Sequence, residues 1–241
     1  MEILQKLTRK PFSIVGHRGA KGVKPENTIA SLKYAIEHGA DIVEIDVRKT
    51  KDRQLILLHD PDFRRLAGKA VSPRDVDYSF IKEHITIQGE PVPTLEEAIK
   101  FVNARVGMFI EIKEPDTVEK VLTILQKYNA LEWTAVISFY DTAIKTAKKL
   151  LPSITTGLIY SKPPGRIKEA HLLEAQIVLP YYKLATLKAN NFAHSLGLKV
   201  VAWTINDEKL ALKILKNRTD ALATDYPHKL SVLREQLLNE K

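Results

Sequence analysis

The sequence predicts an α/β protein folded as a (β/α)8 TIM barrel, with a β-hairpin and a small insertion between strand 2 and helix 2. Two observations carry this expectation. Strand-like apolar runs alternate with amphipathic helical runs along the whole 241-residue chain. Acidic, basic or imidazole side chains recur where several of the apolar runs end, the edge on which barrel enzymes assemble their sites.

The strand-like runs lie at 12–16, 42–47, 108–112, 134–138, 155–160, 176–179, 199–204 and 220–223. Short apolar runs of this kind suit parallel strands buried on both faces. Helical patterns follow at 27–38, 94–104, 116–128, 141–150, 166–174, 184–195, 206–216 and 227–238. The first helix is expected to start from Asn27 as N-cap and stop at Gly39, and the second to start with Thr94 and Glu97 as a capping box. The run from Gln54 to Asp60 breaks the alternation, because KTKDR is too short for the crossover that a parallel strand requires. Glu44 to Asp60 therefore reads as an antiparallel hairpin. Folding it about Lys51 and Asp52 pairs residues whose numbers sum to about 103, which sets His59 opposite Glu44.

From Asp60 to Pro93 the chain has turn signals, a short helical candidate near Tyr78 to His84, and no barrel strand. This stretch, about 52–92, is expected to wall or cover the catalytic face, with Arg64 and Arg65 read as surface charges. No internal repeat or low-complexity segment interrupts what reads as one domain over 1–241.

Composition narrows the chemistry. With no cysteine, disulfides, thiolate ligands and a cysteine nucleophile are excluded. No stretch of about 18 apolar residues suggests a transmembrane helix. The N-terminal MEILQKLTRKPF scatters charges where a signal peptide needs an apolar core, so a cytoplasmic protein is expected. The net charge of +8 suits an anionic small-molecule ligand. No helix-turn-helix, zinc knuckle or RNP pattern points to nucleic acid. Oligomeric state is not readable from the sequence.

Four segments carry the chemistry: His17-Arg18-Gly19 after FSIVG, Glu44-x-Asp46 within DIVEIDV, His59-Asp60 after QLILL, and Glu111-x-Lys113 within GMFIEIK. Residues at i and i+2 of a strand share a face, so Glu44 projects with Asp46 and Glu111 with Lys113. Carboxylates on one face repel at close range unless a cation sits between them. Oxygen donors select a hard divalent ion, magnesium or calcium, with manganese as a third option. Such an ion with two acid–base histidines and two cations suits work on a phosphate.

The same segments make the chain resemble the glycerophosphodiester phosphodiesterase family. The resemblance runs through HRGAKGVKPENT (His17–Thr28), DIVEIDVRKTKD (Asp41–Asp52), LLHDPDFRRLAG (Leu57–Gly68), VPTLEEAI (Val92–Ile99), EIKEP (Glu111–Pro115), Ser138-Phe139, AWTIN (Ala202–Asn206) and ATDYP (Ala223–Pro227). It implies a barrel of the phosphatidylinositol-phospholipase-like type, a divalent cation held by Glu44, Asp46 and Glu111, and His17 and His59 as the acid–base pair. Three features depart from the family pattern. Arg64–Ala67 replaces an arginine- and threonine-rich stretch, Tyr140 replaces a small or acidic residue, and the insertion is short beside that of large periplasmic members.

The expected reaction is hydrolysis of a glycerophosphodiester to glycerol 3-phosphate and an alcohol, with His17 as general acid and His59 as general base. Arg18 and Lys113 are expected to neutralise the phosphate, and Trp203 and Phe139 to contact the rest of the substrate. Water and the substrate's own 2-hydroxyl both remain open as first nucleophile. Glu26 is expected to brace the metal site, and His38, His84, His171, His194 and His228 to be surface or structural. Two other readings fit the same residues: a lysophospholipase D, which needs an exposed apolar groove near the insertion, and a non-catalytic anion-binding barrel.

Overall fold

The computed structural model describes residues 2–239. Its strands are β1 (Ser13–Gly16), β2 (Ile42–Lys49), β3 (Leu55–Leu57), β4 (Thr86–Ile87), β5 (Glu90–Pro91), β6 (Gly107–Ile112), β7 (Thr134–Ser138), β8 (Thr156–Tyr160), β9 (Ile177–Pro180), β10 (Lys199–Ala202) and β11 (Ala221–Thr224). β1, β2 and β6 to β11 form a parallel sheet that closes, because β1 pairs with both β11 and β2. This is the TIM barrel that the alternating runs predict. The expected strands are all present, with ends shifted by two residues at most.

Helices Ile29–Glu37, Leu95–Val102, Val118–Lys127, Asp141–Leu150, Ile167–Leu172, Leu187–Ser195, Glu208–Leu215 and Pro227–Asn239 return the chain between strands and close it at the C-terminal end. Among the described residues no helix is long and apolar enough to cross a membrane.

The two-residue period of the strands sorts their side chains into two layers. Ile42 of β2 and Phe109 of β6 join Val15, Ile137, Ile159, Leu179 and Val201 inside the barrel. Val43, Ile45 and Val47 of β2, with Met108, Ile110 and Ile112 of β6, pack outward against the helices. Ile3 and Leu7 plug the lower end of the interior, and Gly107 makes room for Ile3: a Cβ there would lie 2.5 Å from Ile3 Cδ1.

β3 runs antiparallel to β2, as the short KTKDR connection requires. The expected register needs correction by one residue. Val47 faces Leu57 and Lys49 faces Leu55, so paired numbers sum to 104. The ladder ends there, with only the Leu58 N–H reaching the Asp46 carbonyl beyond it, so His59 is not a ladder partner of Glu44. The chain then forms the insertion, in which short helices Arg64–Ala67 and Tyr78–His84 and the β4–β5 hairpin enclose Ile56, Leu58, Phe63, Ile81, Ile85, Ile87 and Val92. Most of its apolar side chains pack in this small core, while Phe80 is exposed.

The start of the first helix also needs correction. Thr28, not Asn27, is the N-cap, its hydroxyl accepting the Ser31 N–H. Asn27 sits at φ 57° and turns its amide elsewhere. The capping box of the second helix forms as expected between Thr94 and Glu97.

Closure between β1 and β2 depends on Asp41. The β1–β2 ladder holds only two residue pairs, and the Asp41 carboxylate extends it by accepting the Ile14 N–H at 2.8 Å. The same carboxylate binds Arg9 and the buried Arg234 of the last helix, whose guanidinium also reaches the Gly39 carbonyl. Removing one member leaves a buried charge without its partner. Asp41→Ala should lose about 3 kcal/mol of unfolding free energy in urea. Because Asp41 lies at the end of the barrel remote from the pocket described next, the folded variant should keep its turnover number; a variant as stable as the parent would contradict this role for Asp41.

Candidate active site

With Ile42 pointing into the barrel, Glu44 and Asp46 must point there too, and Phe109 does the same for Glu111 and Lys113. The strand period thus delivers three carboxylates to one layer at the C-terminal ends of β2 and β6. Glu44, Asp46 and Glu111 are all buried, and one oxygen from each lies within 4.8 Å of the others. Lys113 Nζ reaches Glu111 at 2.6 Å and Asp46 at 3.0 Å, and Arg18 Nε lies 3.3 Å from Asp46. The Arg18 N–H donates to Glu44 at 2.8 Å, and Asn27 both donates to Asp46 at 2.9 Å and accepts its backbone N–H.

Two cations do not neutralise three carboxylates, and the carboxyl groups divide the deficit unequally. Burial, then the neighbouring Asp46 and Glu111, push Glu44 well above the ordinary carboxyl range. Burial and Asp46 push Glu111 up to about 7. Burial would raise Asp46 as well, but Lys113, Arg18 and His59 overcome it and hold this group ionised. Glu44 Oε1 is buried and accepts no hydrogen bond, and Asp46 Oδ1 is buried with the Lys113 ammonium 3.0 Å away. Converging oxygen donors, with Glu44 Oε1 unpartnered, fit a hard divalent cation.

The histidines are each fixed by a carboxylate. His17 follows β1, and its Nδ1 lies 2.7 Å from Asp225, which follows the adjacent β11. Asn206 holds Asp225 from the other side, donating to its second oxygen and accepting its backbone N–H. Against the effect of burial, His17 and Asn206 keep Asp225 below the ordinary range. His59 Nδ1 lies 2.7 Å from Asp60, whose carboxyl is drawn down to about 2 chiefly by Arg65. Arg48 adds two hydrogen bonds to the His59 carbonyl. Burial lowers His59, so its ring is neutral near neutral pH. In both rings Nδ1–H faces a carboxylate acceptor, which leaves Nε2 for the pocket.

One pocket gathers His17, Arg18, Glu44, His59, Glu111, Lys113, Phe139 and Trp203 over an apolar floor of barrel-interior side chains. Asp46 lies behind it, between Arg18 and Lys113. Phe139 packs edge-on to Trp203 at 5.8 Å between centroids, and the Trp203 indole N–H donates to the Leu179 carbonyl at 2.7 Å. Glu26 braces Arg18 rather than a carboxylate of the trio, at 2.7 Å. The five histidines expected to be surface or structural do not line the pocket.

Asp225, Asn206, Asp60, Asn27 and Arg65 were not among the expected site residues. Asp60 carried the clearest signal, since it adjoins His59. Residue 225 meets residue 17 only because the last strand closes on the first. Arg65 is exposed, as read, and in addition makes three hydrogen bonds to Glu26 and Asp60.

A family model described as the glycerophosphoryl diester phosphodiesterase family matches residues 17–229. The chain belongs to that family. Bacillus subtilis YhdW is 31% identical over 89% of this chain and 94% of its own length. A glycerophosphodiester phosphodiesterase of Caldanaerobacter subterraneus is 29% identical over 90% of this chain and 95% of its own. Among solved structures, an Oleispira antarctica phosphodiesterase in complex with the product sn-glycerol-3-phosphate superposes with a TM-score of 0.84 at 29% identity, covering 91% of this chain and 95% of that one.

Protons and a divalent cation should compete for the carboxylate trio. The unfolded chain releases the Glu111 proton near 4.5, whereas the fold retains it to about 7, so stability of the metal-free protein should fall as pH rises through that window. A divalent cation should relieve this penalty, and the rise in Tm that magnesium or calcium gives over chelator should be larger above the window than below it. Equal shifts at both ends would contradict cation binding at these groups.

Proposed function

We propose that the chain hydrolyses glycerophosphodiesters to glycerol 3-phosphate and an alcohol, with His17 and His59 as its acid–base pair and Glu44, Asp46 and Glu111 holding a divalent cation. The observation that carries this reading is the pairing of two carboxylate-fixed histidines with three converging carboxylates at one pocket. Family membership supports it, and so do the relative named a glycerophosphodiester phosphodiesterase and the neighbour bound to sn-glycerol-3-phosphate. A bound magnesium, calcium or manganese ion would neutralise charge on the non-bridging phosphate oxygens.

The chain's own residues supply the rest. Arg18 and Lys113 line the pocket and offer positive charge to the phosphate, where the transition state gathers more negative charge. His59, held neutral by burial, accepts a proton at Nε2 from the attacking hydroxyl as the new P–O bond forms. Its Nδ1–H stays on Asp60, which steadies the imidazolium so formed. His17, with Asp225 behind it, donates a proton from Nε2 to the alcohol oxygen as the old P–O bond breaks. With water as nucleophile, each turnover adds one water and returns both imidazoles to their starting states once the proton passes back. Trp203 and Phe139 form an apolar wall suited to the carbon face of glycerol.

Two variants and two substrates separate the histidine roles. His17→Ala should lose far more activity on glycerophosphocholine or glycerophosphoethanolamine than on a glycerophospho-p-nitrophenyl ester, whose leaving group needs no proton. His59→Ala should lose comparable factors on both, because base assistance to attack is needed whatever leaves. Rescue of His59→Ala by the activated ester would reverse the assignment, and rescue of neither would remove leaving-group protonation from both. Metal content and folding are measured in each variant, and a lysophospholipid added to the panel tests the wider substrate class.

A further inference from the structure

Arg65 lies on the short insertion helix Arg64–Ala67, outside the barrel, with its side chain 47% exposed. An isolated exposed ion pair contributes little, and at first sight this arginine only staples the insertion to the sheet. Its contacts are more specific. Nη1 and Nη2 donate to the two oxygens of Glu26 at 2.8 and 2.7 Å, a bidentate fork, while Nε donates to Asp60 at 2.6 Å. All three guanidinium nitrogens are therefore committed to two carboxylates.

Each of those carboxylates passes the constraint to a pocket residue. Glu26, buried to 5% side-chain exposure, also accepts from Arg18 Nη1 at 2.7 Å. Asp60 turns its other oxygen to His59 Nδ1 at 2.7 Å. Arg18 belongs to the loop after β1 and His59 to the chain leaving β3, and Arg65 touches the partners of both. We infer that Arg65 is a positioning residue that sets Arg18 and His59 relative to one another through Glu26 and Asp60. This rests on the proposed roles of those two residues. Without the guanidinium, Asp60 loses the bond that fixes its rotamer, and the His59 ring loses its fixed acceptor. A lysine keeps the charge but cannot form the fork and the third bond together.

The test compares the parent, Arg65→Lys, Arg65→Ala, Asp60→Asn and the Arg65→Ala/Asp60→Asn double variant, all with saturating divalent cation. With glycerophosphocholine as substrate, Arg65→Ala should lose about 10- to 100-fold in kcat with much less change in KM. Arg65→Lys should recover only part of it, and free guanidinium added to Arg65→Ala should restore activity. The double variant should lose less than the product of the two single losses, since Arg65 and Asp60 share the route to the His59 ring. Full activity in Arg65→Lys or Arg65→Ala would overturn the inference, as would a loss that guanidinium leaves unrestored and that adds to Asp60→Asn. A readout free of turnover accompanies these: two-bond proton–nitrogen NMR of the His59 ring should show the Nδ1–H tautomer in the parent and a mixture in Arg65→Lys and Arg65→Ala. An unchanged tautomer would overturn the inference even if the parent proved inactive on glycerophosphodiesters, an outcome that would sink the proposed function instead.

Discussion

The site depends on one electrostatic constraint: three carboxylates buried on a single layer of the barrel with two cations to oppose them. Strand period makes the arrangement unavoidable, because Ile42 and Phe109 face inward and Glu44, Asp46 and Glu111 must follow. Isolated buried carboxylates are costly, and the fold answers the cost locally. Lys113 and Arg18 keep Asp46 ionised, while Glu44 and Glu111 are left to hold protons or share a divalent cation. Fully ionised, the trio would carry one negative charge more than Lys113 and Arg18 oppose.

Around this centre, orientation is handled by a ring of charged partners from distant parts of the chain. His17 is set by Asp225 and Asn206 across the β1–β11 seam. His59 is set by Asp60, by Arg48 at its carbonyl and, through Asp60, by Arg65. Glu114 ties Arg48 to Arg74 of the insertion, so the segment after β3 is anchored at two points as well as by its own apolar core. The charged contacts of the insertion reach the pocket residues through Asp60 and Glu26, while most of its apolar residues pack on one another and Phe80 stays exposed.

Much of this is legible in the sequence, for identifiable reasons. The strands and helices follow from apolar runs and their punctuation, and Glu44-x-Asp46 and Glu111-x-Lys113 declare a shared face because a strand's period is fixed. The misreadings concern residues whose role depends on tertiary placement. Asn27 has the composition of a helix cap, yet the backbone turns at φ 57° and commits its amide to Asp46, leaving Thr28 to cap. Arg65 is the exposed charge its composition suggests, yet insertion folding also carries it to Glu26 and Asp60. The hairpin register differs by one because nothing in KTKDR specifies which pair of residues turns the corner. Asp225, held by Asn206, reaches His17 only when the barrel closes.

The most direct test of the account is phosphorus NMR of glycerophosphocholine incubated with protein stripped of metal and then titrated with magnesium or calcium. The stripped protein should show no turnover, and the glycerol 3-phosphate signal should grow as cation is added, with Glu44→Gln shifting the titration to much higher cation concentration. Undiminished release of glycerol 3-phosphate by the stripped protein, with metal content verified, would show that the carboxylate trio is not a metal site and contradict the account at its centre.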